Sequence, residues 1–247
     1  MKILSVFAFM ALPAFAAEIT SPFYLPNAGH VLSQTSLQYT KDKIKASPSI
    51  RTYRQNLNEQ ITLGLGAGIA ALLEGNLNWI RQKQEQTLSF PHTKGYGAGL
   101  KGSWEFDGFL TQISTLYRQT INISFEPRRE IEANLYIGRT LKTMTPYMHF
   151  VGFFPLNARP QLNTPIYRAE TGVFQSIQSK MTLDTALYLQ YDKNTKNKSY
   201  GLRAEWSYFL TSWMVLGLNG EWQAGGHAKN NASTYHQAVG CKMTFSF

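Results

Sequence analysis

The sequence predicts an all-β fold, a transmembrane up-and-down antiparallel β-barrel of about 12 strands. Three observations lead to it: segments of about ten residues that alternate apolar and polar, connections that alternate in length, and aromatic residues gathered at one end of the apolar faces. The alternating segments number twelve and span 31–41, 52–65, 70–81, 96–106, 109–121, 129–139, 146–154, 166–176, 182–192, 199–209, 213–224 and 234–247.

The connections support a barrel because their lengths alternate along the chain. Short links are predicted at 66–69, 107–108, 141–145, 177–181 and 210–212, and longer polar ones at 41–51, 82–95, 122–129, 155–165, 192–198 and 223–233. Barrels of this class have tight turns at one rim and longer loops at the other. An even number of strands also places both chain ends at the same rim.

The apolar faces carry aromatic residues near the long connections, where a barrel meets the membrane interface. These residues are Tyr39, Tyr53, Trp79, Tyr96, Tyr117, Tyr167, Tyr191, Tyr200, Trp222 and Tyr235. Two segments fit the alternation poorly. Glu59 falls in the apolar phase of its segment with Leu57 and Ile61, and segment 146–154 is apolar on both faces.

The first residues, "MKILSVFAFMALPAFA", have a lysine, a short apolar run, a proline and small residues before position 17. This pattern predicts a secretory signal peptide at 1–16. The apolar run is shorter than the roughly 18 residues that a membrane-spanning helix needs. The single cysteine, Cys241, excludes an internal disulfide framework. The chain is therefore predicted to be exported.

The last ten residues, "AVGCKMTFSF", place an apolar residue at every second position up to the end of the sequence: Val239, Cys241, Met243, Phe245 and Phe247. In this pattern the chain resembles single-chain Gram-negative outer-membrane β-barrel proteins. The resemblance implies that these residues are an assembly signal for the barrel-assembly machinery, and that the last strand closes against the first. It implies a bacterial outer-membrane location, with a short N-terminal periplasmic segment at 17–28 and an outer-membrane β-barrel at 29–247. A soluble secreted sandwich or lipocalin-like barrel would explain the alternation but not the aromatic residues.

The polar faces carry charges that the barrel would turn toward its lumen. These are Arg54, Glu74, Lys101, Glu105, Arg118, Glu130, Glu132, Arg168, Glu170, Asp184, Arg203, Glu205, Glu221 and Lys242. Two interpretations remain open. The charges pair across the wall, as buried charges must, or they line a polar pathway with a slight preference for cations. The spacing of Arg168 with Glu170 and of Arg203 with Glu205 predicts some pairing within strands.

The net charge of +9 is predicted to lie in or beside the long connections. The residues concerned are Lys41, Lys43, Lys45, Arg51, Arg81, Lys83, Arg128, Arg129, Lys193, Lys196 and Lys198. Basic segments are attracted to anionic lipid surfaces, which indicates outer-membrane lipid and lipopolysaccharide as partners. Nucleic acid is not expected as a partner of an exported chain. The sequence leaves the oligomeric state open.

No enzyme is predicted. The five histidines lack a serine at the spacing that places both residues on one face of a strand, and no metal-ligand cluster or cofactor motif is found. The leading function is a small porin-like channel that transports modest polar solutes. The alternative is a closed structural or surface-interaction barrel that acts through its basic external loops, and a lipid-modifying enzyme ranks below both.

Overall fold

The structure, a computed structural model, describes residues 19–45, 50–84, 87–89, 92–122, 125–156, 165–193, 196–226 and 233–247. The predicted signal peptide at 1–16 lies outside these residues. The strands are β1 (Val31–Lys45), β2 (Ile50–Gly66), β3 (Ile69–Gln84), β4 (Thr87–Ser89), β5 (His92–Phe106), β6 (Phe109–Asn122), β7 (Phe125–Arg139), β8 (Met144–Pro155), β9 (Ile166–Gln178), β10 (Met181–Asp192), β11 (Asn197–Phe209), β12 (Met214–Gly226) and β13 (Ser233–Ser246). In these residues no helix is long and apolar enough to cross a membrane.

Twelve of these strands close into an antiparallel barrel, which confirms the predicted fold class and strand number. Each long strand pairs with the next one along the chain, β3 pairs with both β2 and β5, and β13 pairs with β1. The short β4 only extends the end of β3. The terminal residue completes the closure, since the backbone amide of Phe247 donates to Val31 O and that of Val31 donates to Phe247 O, each at 2.9 Å. The last strand therefore closes against the first.

Tight connections join the strands at one rim, which we call the turn end. They fall at 67–68, 107–108, 140–143, 179–180 and 210–213, close to the predicted short links. Asp107 and Gly108 have φ of 50° and 74°, the left-handed pair of a two-residue hairpin whose twist matches its strands. The opposite rim is called the loop end.

At the loop end the strands are longer than predicted. β1 continues to Lys45 and β2 begins at Ile50, so much of the predicted 41–51 connection is strand. β6 and β7 likewise extend to Asn122 and from Phe125 into the predicted 122–129 connection. The alternation ends where the apolar face ends, but an antiparallel ladder needs only backbone hydrogen bonds to continue. Sequence pattern therefore marked the edge of the apolar band rather than the ends of the strands.

The outer wall is apolar and exposed. Leu187 and Leu189 on β10 are 62% and 67% exposed, which leaves lipid as the medium that would cover them. The predicted aromatic residues lie outward toward the loop end, where Tyr200 packs edge-on against Trp222 at 6.1 Å. A second aromatic group lies at the turn end, where Phe245 stacks on Phe247.

Glu59 lies on the outer wall, as its phase predicted, about midway between Tyr53 and Leu65 on β2. Its Oε1 accepts a hydrogen bond of 2.7 Å from Ser33 Oγ, and its Oε2 accepts one from Thr35 Oγ1. Both hydroxyls come from the neighbouring strand β1. Cross-strand hydrogen bonds therefore satisfy the carboxylate in the apolar band, since a polar group removed from water needs such partners.

Candidate functional site

The N-terminal segment, residues 19–28, enters the barrel at the turn end. Phe23 packs edge-on against the lumen-facing rings of Tyr136 at 6.0 Å and Tyr147 at 6.4 Å. Ser103 Oγ donates to Phe23 O at 2.9 Å, and the hydroxyls of Thr20 and Thr182 are 3.0 Å apart. The sequence predicted a short N-terminal periplasmic segment at 17–28, of which the structure describes residues 19–28, and these contact the inner wall.

Two apolar clusters fix this segment. One is formed by Ile19, Leu32, Phe209 and Val215, and the other by Phe23, Tyr147, Phe174 and Ala186. The second cluster includes Tyr147, an inward residue of β8, the strand that is apolar on both faces, and Tyr147 packs there against Phe23 of the segment. The inward side chains of β8 are Thr145, Tyr147, His149 and Val151, and all four are buried.

Above the segment, toward the loop end, charged side chains form ion pairs across the lumen wall. Arg118 on β6 donates to both oxygens of Glu74 on β3, from Nε at 3.0 Å and from Nη2 at 2.8 Å. Its Nη1 also contacts Glu132 on β7. One guanidinium thus contacts two carboxylates, and its two hydrogen bonds to Glu74 have the bidentate geometry that makes arginine–carboxylate pairs strong.

A second network surrounds Arg203 on β11. Its Nε lies 3.0 Å from Glu170 Oε2, its Nη1 lies 2.9 Å from Asp184 Oδ2, and its Nη2 donates to Tyr147 Oη at 2.7 Å. The Tyr147 hydroxyl in turn donates to Asp184 Oδ1 at 2.6 Å. These partners come from three strands, β8, β9 and β10, so the network connects a quarter or more of the barrel circumference.

Arg168 extends the network toward the loop end. Its Nε lies 2.6 Å from Glu170 Oε1 and its Nη1 lies 3.1 Å from Glu221 Oε1. The guanidinium also lies over the ring of Tyr188, 3.6 Å from the centroid, and the Tyr188 hydroxyl donates to Glu221. Pairing between Arg168 and Glu170 agrees with their spacing. Arg203 does not pair with Glu205, which contacts Lys242 instead.

The remaining predicted charges lie away from these networks. Glu130 pairs with Arg128 at 2.8 Å, and Arg54 pairs with Asp42 at 3.1 Å with its side chain 52% exposed. Glu105 is exposed at the turn end. Lys101 faces the lumen, where the described residues offer it neither an ion pair nor a hydrogen bond.

His149 is the buried histidine nearest to these charges. Its ring stacks on Tyr136 at 3.6 Å, its Nε2 lies 3.0 Å from Asn134 Oδ1, and its Nδ1 lies 3.3 Å from Glu170 Oε2. In the described part of the chain no serine or threonine hydroxyl is among these partners. The described residues also contain no group of three His, Cys, Asp or Glu side chains placed to hold a metal ion.

The described residues line two cavities inside the barrel, one on each side of the N-terminal segment. The upper cavity, about 320 Å³, is lined by the segment and by polar side chains from strands around the barrel. The lower cavity, about 820 Å³, lies at the turn end and reaches Gly68, Glu105 and Lys142. Ser21 and Tyr24 of the segment and Phe174 of β9 line both cavities. The segment therefore separates the lumen from the mouth at the turn end.

No known protein family and no curated protein sequence matches the chain. Several solved structures are similar to it in fold. The COG4313 outer membrane channel from Pseudomonas putida F1 superimposes with a TM-score of 0.71 at 10% identity, covering 92% of this chain and 98% of that one. The transport unit of the autotransporter AIDA-I from Escherichia coli gives a TM-score of 0.59 at 11% identity, covering 97% of each chain. The NanC porin gives a TM-score of 0.52 at 12% identity, covering 83% of this chain and 98% of that one. The chain is thus a single-chain β-barrel of the bacterial outer-membrane type.

Proposed function

We propose that this protein is a narrow outer-membrane channel for small polar solutes, closed at the turn end by its N-terminal segment. The observation that carries the proposal is the pair of cavities on either side of this segment. A barrel filled by side chains alone would leave no such space in its interior. Displacement of residues 19–24 would join the two cavities and open a path through the barrel.

Displacement of the segment would break its polar contacts with the wall and the two apolar clusters that hold Ile19 and Phe23. Its polar contacts with the wall include the hydrogen bonds from Ser103 to Phe23 O and between Thr20 and Thr182. Each contributes about 0.5–1.5 kcal/mol. The ion-pair networks of Arg118 and Arg203 are built from strand residues alone, so the wall would keep its shape when the segment leaves.

A reversible disulfide tests the proposal. In a Cys241→Ser background, Thr20→Cys and Thr182→Cys would place two thiols where two hydroxyls now lie 3.0 Å apart. In planar bilayers we expect the oxidised protein to be silent and the reduced protein to conduct. The matched control carries Thr20→Cys alone and should conduct regardless of reductant. Equal conductance in the oxidised and reduced forms would show that the segment is not the barrier.

The second candidate is a closed barrel that acts through its basic loop-end residues. The observation that favours it is the pairing of Glu74, Glu132, Glu170, Asp184 and Glu221 within the wall, which leaves few carboxylates to attract a permeating ion. If neither the reduced disulfide variant nor the wild type conducts in planar bilayers, this second candidate is favoured.

Lipopolysaccharide is the partner that this second candidate predicts. Lys193, Lys196 and Lys198 lie at the β10–β11 connection of the loop end. Their joint replacement by glutamine should weaken binding of the purified barrel to vesicles containing lipopolysaccharide, and should leave binding to neutral lipid unchanged. The proposal includes no catalytic step.

A further inference from the structure

We propose that Lys101 and Gln112 form a binding site for the anionic group of a small hydroxylated solute, such as the carboxylate of a sugar acid. The site lies in the upper cavity. This inference rests on the channel function proposed above, since the solute must enter the barrel to reach it, and it adds the chemical class of that solute.

The two side chains are brought together by the register of β5 and β6. Lys101 is opposite Ser114, and Ser103 is opposite Gln112, so Lys101 and Gln112 are diagonal neighbours on the inward face. Diagonal cross-strand positions lie about 7–8 Å apart, within reach of two long side chains. Gln112 is only 2% exposed. Both side chains line the upper cavity.

Both side chains have hydrogen-bond donors that no acceptor in the described residues satisfies. Gln112 Nε2 is buried and has no hydrogen-bond partner. Lys101 has no hydrogen bond or ion pair with any residue that the structure describes, although its ammonium carries three donors. A buried donor left without a partner costs about 1–3 kcal/mol, so a ligand with acceptor oxygens would gain by supplying them.

The nearby carboxylates already form ion pairs with other cations. Glu74, on the neighbouring strand β3, is held bidentately by Arg118. Glu205 contacts Lys242, the side chain whose positive charge acts on Lys101. Lys101 therefore faces a second cation rather than an available anion. An incoming carboxylate would find a positive potential and at least two free donors at this point of the wall.

The rest of the cavity wall offers neutral polar groups. Gln34, Gln60 and Ser114 line the same space and suit the hydroxyl groups of a solute better than an apolar body. The volume of about 320 Å³ lies at the lower end of the range of small-molecule sites, about 300–1,000 Å³. A compact sugar acid combines one anionic group with several hydroxyls, which matches this arrangement.

The test uses the full-length barrel in detergent, titrated by calorimetry with gluconate and, separately, with glucose. We expect gluconate to bind with one-to-one stoichiometry and glucose to give no measurable heat. Lys101→Met should weaken gluconate binding at least about tenfold, and Gln112→Leu about threefold, because charged hydrogen bonds are roughly twice as strong as neutral ones. Lys101→Arg should stay within a few-fold of wild type.

Lys41→Met is the matched control, since Lys41 is exposed on the outer face of β1 and should leave binding unchanged. The compact unheated band in SDS verifies that each variant is folded. The site is refuted if glucose binds as well as gluconate, or if the wild type does not bind gluconate. It is also refuted if the folded Lys101→Met variant binds gluconate with the affinity of the wild type. Conductance without gluconate binding would refute the site and keep the channel, while gluconate binding to a silent barrel would refute the channel and keep the site.

Discussion

Replacement of Arg203 by alanine should destabilise the barrel strongly. The guanidinium contacts Glu170, Asp184 and the Tyr147 hydroxyl at 2.7–3.0 Å, and the arginine side chain is only 21% exposed. Alanine would leave Asp184 with the Tyr147 hydroxyl as its partner and Glu170 with Arg168. The loss therefore removes the cation that balances Asp184, but it does not isolate either carboxylate completely.

The expected cost follows from this geometry. Breaking a buried ion pair by removing one partner costs about 3–5 kcal/mol. Because each carboxylate keeps at least one other partner, we expect a cost at the lower end of this range, about 3 kcal/mol. Arg54→Ala is the control: its pair with Asp42 is half-exposed, with the arginine side chain 52% accessible, and exposed pairs contribute about 0–1 kcal/mol.

The free energy of unfolding can be measured by urea titration of the barrel in lipid vesicles, followed by tryptophan fluorescence. Asp184→Asn in the Arg203→Ala background should recover part of the loss, because an amide needs no balancing cation. Two results would contradict this reasoning: an equal loss of unfolding free energy in Arg203→Ala and Arg54→Ala, or a further loss when Asp184→Asn is added to Arg203→Ala. Either would show that Arg203 does not stabilise the barrel by balancing buried carboxylates.

Three further predictions concern the wall and its assembly. The unheated protein should migrate in SDS differently from the boiled form, because a closed sheet leaves no edge at which detergent can separate the strands; identical mobility would contradict closure. Deletion of Phe247 should lower outer-membrane assembly more than export, measured by fractionation, and normal assembly of the truncated chain would refute its role as a signal. Ser33→Ala with Thr35→Val should destabilise the barrel more than Glu59→Leu, measured by urea unfolding, since an unpaired carboxylate in lipid costs more than its removal. The reverse order would show that water reaches Glu59.

Much of the wall could be predicted from the sequence. Alternation with a period of two fixes which side chains share a face once a segment is a strand, so the outward position of Trp206 and the inward position of Arg203 follow from counting. The resemblance to outer-membrane barrels implied that the last strand closes against the first, and the backbone hydrogen bonds between Phe247 and Val31 confirm it. The face on which a side chain lies is a local property, because it depends only on neighbours along one strand.

The partners inside the lumen were decided by the tertiary structure. Arg203 and Glu205 share one face and are two residues apart, as are Arg168 and Glu170, which do pair, so this spacing alone does not decide the partner. Arg203 pairs with Glu170 and Asp184, which the barrel brings beside it. Residues 19–28 show no alternation, and only closure of the barrel creates the apolar surface on which Phe23 packs. Periodicity determines a face, but register and closure determine which residues meet across it.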